Sequence, residues 1–143
     1  MKKVCFVLMT LVMLCGFFIT TGEAGQLCWQ VDFPTNPDFN GYVSVLASGG
    51  KSTRAVHGAW YIQSSPPIYW PIAGNMVKIP DGSYWYLQLN TTFIGGYLGM
   101  IAALDPSTLS GAGGYTGVGD SITTFDTTFT NISCKEIPAY IPR

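Results

Sequence analysis

Residues 79–90 read IPDGSYWYLQLN, a tight turn followed by a segment of alternating character. Trp85, Leu87 and Leu89 occupy every second position, and more polar side chains lie between them. A period of two is typical of a β-strand that turns one face toward a hydrophobic core. Proline presets its φ angle and glycine accepts positive φ, so Pro-Asp-Gly before this segment indicates a β-hairpin turn.

Similar strand-like segments recur on both sides of this one, separated by short clusters of Gly, Pro, Asp, Asn and Ser. No window of a dozen residues has the 3.6-residue apolar period of an amphipathic helix, and only 105–110 is compatible with a helical turn. The sequence therefore predicts an all-β chain. The eight predicted strands are 27–31, 42–47, 53–62, 75–79, 83–92, 97–104, 111–117 and 121–134.

The N-terminal residues 1–24 have the composition of a secretory signal peptide. Two lysines precede an apolar segment at 4–19, and small residues follow it up to Ala24. The apolar segment is shorter than the roughly 20 residues that span a bilayer. We therefore expect an exported chain, periplasmic or extracellular, with a single domain over 25–143 and no membrane span after cleavage. A retained N-terminal anchor and a lipoprotein modified at Cys15 are the alternatives.

Removal of the signal leaves two cysteines, Cys28 and Cys134, near the two ends of the mature chain. In an oxidising compartment an even pair of cysteines is expected to form a disulfide. The bond requires Cα atoms within about 7 Å of each other, so the first and last strands are predicted to be neighbours. Two free, buried thiols are the alternative.

Eight strands joined by short connections form an up-and-down meander, which closes when its last strand pairs with its first. The expected disulfide requires the same neighbours, so both features favour a small antiparallel eight-stranded barrel. The glycine-rich segment 111–117 fits the sharp curvature of such a barrel. A β-sandwich is the alternative, because strand spacing alone does not separate the two folds.

Across 27–134 this arrangement resembles the calycin superfamily of lipocalin-like and avidin-like meander barrels. Lipocalins carry a Gly-x-Trp motif on the first strand, and here Gly58, Ala59 and Trp60 form that motif on the third predicted strand. The resemblance implies a cavity for a small, mostly apolar molecule.

Charge and chemistry-bearing residues are scarce. The net charge of −1, with 10% charged residues, gives no basic patch for nucleic acid. One histidine, His57, and two cysteines expected in a disulfide leave no usual metal site, and no cofactor motif is present. No serine lies in a Gly-x-Ser-x-Gly elbow, and only Asp32 and Asp126 among the acids lie near strand positions. These absences favour a non-catalytic protein without deciding against an enzyme.

Aromatic residues, 14% of the chain, are the main candidates for ligand contacts, with core packing as the alternative. Segment 66–72 is apolar and aromatic but proline-rich. We interpret it as a connection that caps a barrel mouth or binds a protein partner, or else folds onto its own core. The predicted ligand-binding residues are His57, Trp60, Tyr61, Tyr69, Trp70 and Trp85.

We therefore expect an exported, non-catalytic barrel that binds a small apolar molecule in its interior. A secreted protein-interaction or inhibitor module with a filled core is one alternative. A carbohydrate-binding β-sandwich is another.

Overall fold

The structure, a computed structural model, describes residues 25–64, 66–93 and 95–139, so the predicted signal peptide and Cys15 lie outside the described residues. Eight antiparallel strands follow one another around a closed barrel, which confirms the predicted up-and-down architecture. The strands are β1 (Gly25–Asp32), β2 (Gly41–Gly49), β3 (Thr53–Ile62), β4 (Ile68–Lys78), β5 (Trp85–Phe93), β6 (Gly96–Leu104), β7 (Gly111–Val118) and β8 (Ile122–Ile132).

Closure occurs where β1 pairs with β8, over five residue pairs from Cys28↔Ile132 to Asp32↔Thr128. This seam is short compared with the pairing of β3 and β4, which extends over ten positions. The first and last strands are therefore neighbours, as predicted from the two cysteines.

Strand β4 differs from the prediction, because it begins at Ile68 and not at 75. The prediction that 66–72 is a connection was therefore wrong for residues 68–72. Strand β4 pairs with β3 from Ile68 to Val77 but with β5 only from Ala73 onward. Pro71 thus lies where one side of the strand has no partner, and there a missing backbone N–H costs little.

Two short 3₁₀ helices, Pro37–Phe39 and Cys134–Glu136, were not predicted. The turn suggested for 105–110 is present, since the Leu109 N–H donates to the Asp105 carbonyl oxygen at 2.8 Å. The first helix and the 105–110 turn connect strands, the second helix follows β8, and none of them alters the all-β architecture.

Among the described residues, one cluster of twenty buried side chains fills the interior of the barrel. Near the β1–β2 connection, the Phe33 ring contacts four other aromatic rings with centroids 5.5–6.4 Å away: Phe39, Trp60, Tyr115 and Phe125. Elsewhere Trp29 is fully buried and donates its indole N–H to the Leu109 carbonyl oxygen at 2.7 Å. Leu109 also packs against the same cluster. Side chains from connections as well as strands therefore pack into the interior.

Strands β6 and β7 approach each other closely at a glycine. A Cβ atom added at Gly113 would lie 1.8 Å from the Ile101 carbonyl oxygen, whereas one at Gly114 would meet nothing nearer than 3.8 Å. Glycine in a strand often marks such a close approach of two backbones. The glycine at position 113 therefore allows β6 and β7 to approach closely, and the curvature expected of this segment stays a prediction.

A disulfide joins Cys28 and Cys134, whose Cα atoms are 5.2 Å apart, so the predicted bridge is confirmed. Cys28 alternates with the inward-facing Trp29 and lies on the outside of the barrel. There a second, smaller core forms, in which Ile137 packs with Cys28, Ala59 and Tyr61. The bridge thus holds the segment after β8 against the outer face.

The turn after β6 contains Asp105, whose carboxylate makes the stability of the fold depend on pH. Hydrogen bonds from the Ser107 hydroxyl and from the Ser107 and Thr108 N–H groups lower the pKa of Asp105 to about 2. A carboxylate with a lowered pKa stabilises the fold above its unfolded pKa of about 3.9, and this stability is lost as the pH falls toward 2. We expect Asp105→Ala to lower the thermal midpoint at pH 7, with a difference from the parent that shrinks as the pH falls below about 4.

Thermal scans from pH 2 to pH 7 test this expectation. The control is Asp120→Ala, because the exposed Asp120 carboxylate accepts no hydrogen bond from any described residue. Equal midpoints at pH 7 for Asp105→Ala and the parent would show that these hydrogen bonds contribute nothing to stability.

Candidate functional site

Three tyrosines form a row on the outer face of β2, β3 and β4. Tyr42 lies opposite Tyr61, and Tyr61 lies opposite Tyr69. The centroids of the Tyr61 and Tyr69 rings are 5.3 Å apart, with the ring planes tilted by 57°. Tyr61 is only 6% exposed and Tyr69 is 55% exposed. Tyr61 therefore supports Tyr69, which presents its ring to solvent.

The next outward-facing positions along these strands are small. Ser44 and Ala59 lie opposite each other, and beyond them the larger Leu46 and His57 form another opposite pair. Because small side chains lie between two rows of large ones, the outer face contains a groove of about 650 Å³. We call it the outer groove. Its lining residues are Gln26, Ser44, Val45, Leu46, His57, Gly58, Ala59, Tyr61 and Tyr69.

The polar groups of the outer groove are amide, hydroxyl and imidazole side chains. The Gln26 side-chain amide donates to the Ser44 hydroxyl at 3.1 Å. Burial raises the pKa of Tyr61, and the neighbouring Tyr69 phenol raises it further, so the Tyr61 hydroxyl stays protonated at neutral pH. No Asp, Glu, Lys or Arg occurs among the described residues that line the groove. The site thus combines apolar walls with amide, hydroxyl and imidazole groups.

The six predicted ligand-binding residues divide into two sets, because neighbouring residues of a strand point to opposite faces. The outer groove contains His57, Tyr61 and Tyr69. The interior cluster includes Trp60 and Trp85, and Trp70 is partly buried against it. The structure therefore does not bring the six residues into one site.

The same alternation determines which residues of 66–72 could contact a protein partner. Within this segment, Ile68 is 42% exposed and Tyr69 is 55% exposed on the surface of β4. Trp70 lies opposite Trp60 and packs against the interior cluster. Ile68 and Tyr69 are therefore exposed at this segment, whereas Trp70 is half-buried.

Sequence reasoning missed six lining residues: Gln26, Ser44, Val45, Leu46, Gly58 and Ala59. Three of them, Gln26, Ser44 and Leu46, have outward-facing side chains. They lie on the outward face of β1 and β2, and the alternation of apolar and polar residues along these strands predicts that their side chains point outward. Their position next to His57 depends on the pairing Gln26↔Leu46 and Leu46↔His57, which no single strand reveals.

The residues considered for catalysis lie on three different strands, of which β1 and β8 are paired. Asp32 lies on β1, His57 on β3 and Asp126 on β8. Asp32 accepts two hydrogen bonds from the Gln30 side-chain amide at 3.1 Å. Within 25–64, 66–93 and 95–139, no three His, Cys, Asp or Glu residues are grouped so that they could hold a metal ion. Over the same ranges no helix combines the length and hydrophobicity needed to cross a membrane.

Comparison of the chain with profiles of known protein families, with curated protein sequences and with solved structures finds no match. The closed meander of eight antiparallel strands is consistent with a calycin-like architecture. The function of the site is therefore inferred from its own geometry and chemistry.

Proposed function

We propose that the protein is a non-catalytic binding module that holds its ligand in the outer groove. The observation that carries this proposal is the groove itself, whose volume of about 650 Å³ lies within the usual range for ligand sites. Its side chains come from paired strands, which position binding groups more rigidly than loops do. The exposed ring of Tyr69 supplies the largest apolar contact surface at its rim.

Two further observations support this assignment. Twenty buried residues occupy the barrel interior, which favours the outer face over the lumen. The Cys28–Cys134 disulfide favours an oxidising compartment, so we also propose that the protein acts after export, in the periplasm or outside the cell.

Titration with 2-naphthol, an uncharged aromatic probe, tests the proposed site by nuclear magnetic resonance. We expect the backbone amide signals of Ser44, His57 and Tyr69 to shift, because these residues line the outer groove. The indole signals of the four tryptophans are expected to stay in place, since all four belong to the interior cluster or pack against it. The two sets of signals thus separate an outer ligand from an inner one.

Two tyrosine variants provide a matched comparison. Tyr69→Ala removes the exposed ring at the groove and is expected to weaken 2-naphthol binding about fivefold, the order expected for loss of one aromatic pair. Tyr86→Ala removes a tyrosine of 36% exposure from the surface of β5 and is expected to leave binding unchanged. Equal binding by both variants, or shifts confined to the indole signals, would contradict the proposal.

A small apolar molecule inside the barrel is a second candidate, and buried polar atoms favour it. The Trp60 indole nitrogen and the Thr127 hydroxyl are buried without a hydrogen-bond partner in the part of the chain that the structure describes. Such an unpaired group typically costs about 1–3 kcal/mol, which a ligand with one polar atom would offset. The calycin-like architecture supports the same idea.

Native mass spectrometry of protein purified from its own compartment tests this candidate. An interior ligand predicts a mass above that of the disulfide-bonded chain, and tryptophan fluorescence that changes when the ligand is stripped. A mass equal to that of the chain alone would contradict it.

A further inference from the structure

The described lining of the outer groove has no Asp, Glu, Lys or Arg, which restricts the chemistry of its ligand. The described lining residues include no carboxylate, ammonium or guanidinium group. A charged ligand would find no carboxylate, ammonium or guanidinium group there in exchange for the hydration that contact with the groove displaces. A neutral ligand fits this environment better.

The polar groups of the groove are suited to a ligand that both donates and accepts hydrogen bonds. The His57 ring has no hydrogen-bond partner among the described residues, and the Gln26 amide donates only to Ser44. Their unused atoms include both donors and acceptors. A purely apolar molecule would leave these groups unpaired, whereas a molecule with several hydroxyl groups would satisfy them.

Tyr69 supplies the apolar part of the site. Its ring is 55% exposed, and contact with Tyr61 at 5.3 Å restricts its orientation. The face of an aromatic ring carries partial negative charge, which attracts the weakly positive C–H groups on one face of a pyranose ring. An exposed tyrosine beside neutral hydrogen-bonding groups is therefore suited to stacking with a sugar.

The length of the groove indicates more than one sugar ring. His57 and Tyr61 are four residues apart on β3, which corresponds to roughly 13 Å along an extended strand. A single pyranose stacked on Tyr69 would not reach His57, but a short oligosaccharide would contact both ends. We propose that the outer groove binds an uncharged oligosaccharide of about two or three units, an inference that rests on the groove being the ligand site.

Titration with neutral and acidic trisaccharides tests the inference. The neutral probes are cellotriose, mannotriose, galactotriose and N-acetylchitotriose, and the acidic probe is trigalacturonate. At least one neutral probe is expected to shift the amide signals of His57 and Tyr69, with trigalacturonate at least about tenfold weaker. Equal binding of the acidic and neutral probes would overturn the assignment of an uncharged ligand.

Variants of Tyr69 test the stacking role. Tyr69→Ala is expected to weaken binding of the neutral trisaccharide about tenfold, and Tyr69→Phe, which keeps the ring, is expected to stay within about twofold of the parent. Tyr86→Ala is the matched control and is expected to bind as the parent does. Circular dichroism and the thermal midpoint establish that each variant is folded. Equal binding by Tyr69→Ala and the parent would overturn the inference.

The 2-naphthol titration separates failure of this inference from failure of the proposed function. If 2-naphthol shifts the groove signals and no neutral trisaccharide does, the oligosaccharide inference is wrong and the groove remains a binding site. If no probe shifts the groove signals, both are wrong. Shifts by a neutral trisaccharide at another surface would also overturn the inference.

Discussion

Replacing both Cys28 and Cys134 by alanine is expected to lower the free energy of unfolding by about 4–5 kcal/mol. The two residues are separated by 106 positions, so the bridge restricts nearly the whole unfolded chain. Loss of that restriction increases the entropy of the unfolded state. A domain of this size has a total stability of about 5–15 kcal/mol, so the variant is expected to be barely stable.

Equilibrium unfolding in urea measures this effect. Alanine is preferred to serine, because Cys28 is 1% exposed and a serine hydroxyl would be buried there. A reductant is expected to bring the midpoint of the parent close to that of the variant, and to leave the variant unchanged. Equal midpoints for parent and variant without reductant, or free thiols at both positions in non-reducing mass mapping, would contradict the prediction.

Gly113→Ala is expected to destabilise the barrel by about 3 kcal/mol, the upper part of the range for overpacked sites. The added Cβ would lie 1.8 Å from the Ile101 carbonyl oxygen and 2.7 Å from the Ala102 Cα atom. Both are backbone atoms, so no side chain can rotate to relieve the overlap. Strands β6 and β7 have to separate, which weakens their pairing.

The adjacent Gly114→Ala is the matched control, because it makes the same chemical change one residue along the strand. The Cβ atom added at Gly114 would have the Phe125 carbonyl oxygen as its nearest neighbour, at 3.8 Å, an ordinary contact distance. The expected result is no loss, or a gain of up to about 1 kcal/mol from reduced freedom of the unfolded chain. Similar urea midpoints for the two variants would show that the close approach at Gly113 is not present in solution.

The architecture could be predicted from local signals that agree with one another. Alternation along each segment indicated strands, and turn residues such as Pro80 and Gly82 separated them. Local signals do not show which strands pair. The expected disulfide between Cys28 and Cys134 predicted that the first and last strands are neighbours. Strand β4 was the exception, because prolines usually indicate connections. Pro71 is accommodated only because β5 does not pair with that part of the strand, a fact of the assembled sheet.

The candidate site was predicted in part. Alternation on β3 placed His57 and Tyr61 on one face and Trp60 on the other, as the structure has them. The outer groove itself depends on the register that places the small Ser44 opposite the small Ala59. A shift of register by two residues would keep every side chain on its own face but would alter that pairing, so the alternation along single strands does not determine it.

The short seam between β1 and β8 has a consequence for self-association. If these strands part, the cylinder becomes an open sheet with two unpaired edges, and such edges recruit strands from other copies of a chain. Cys28 lies at one end of this seam, and Cys134 follows β8 by two residues. The bridge therefore tethers the two strands whose separation would lead to swapped dimers or fibrils, and it protects the protein against aggregation as well as against unfolding.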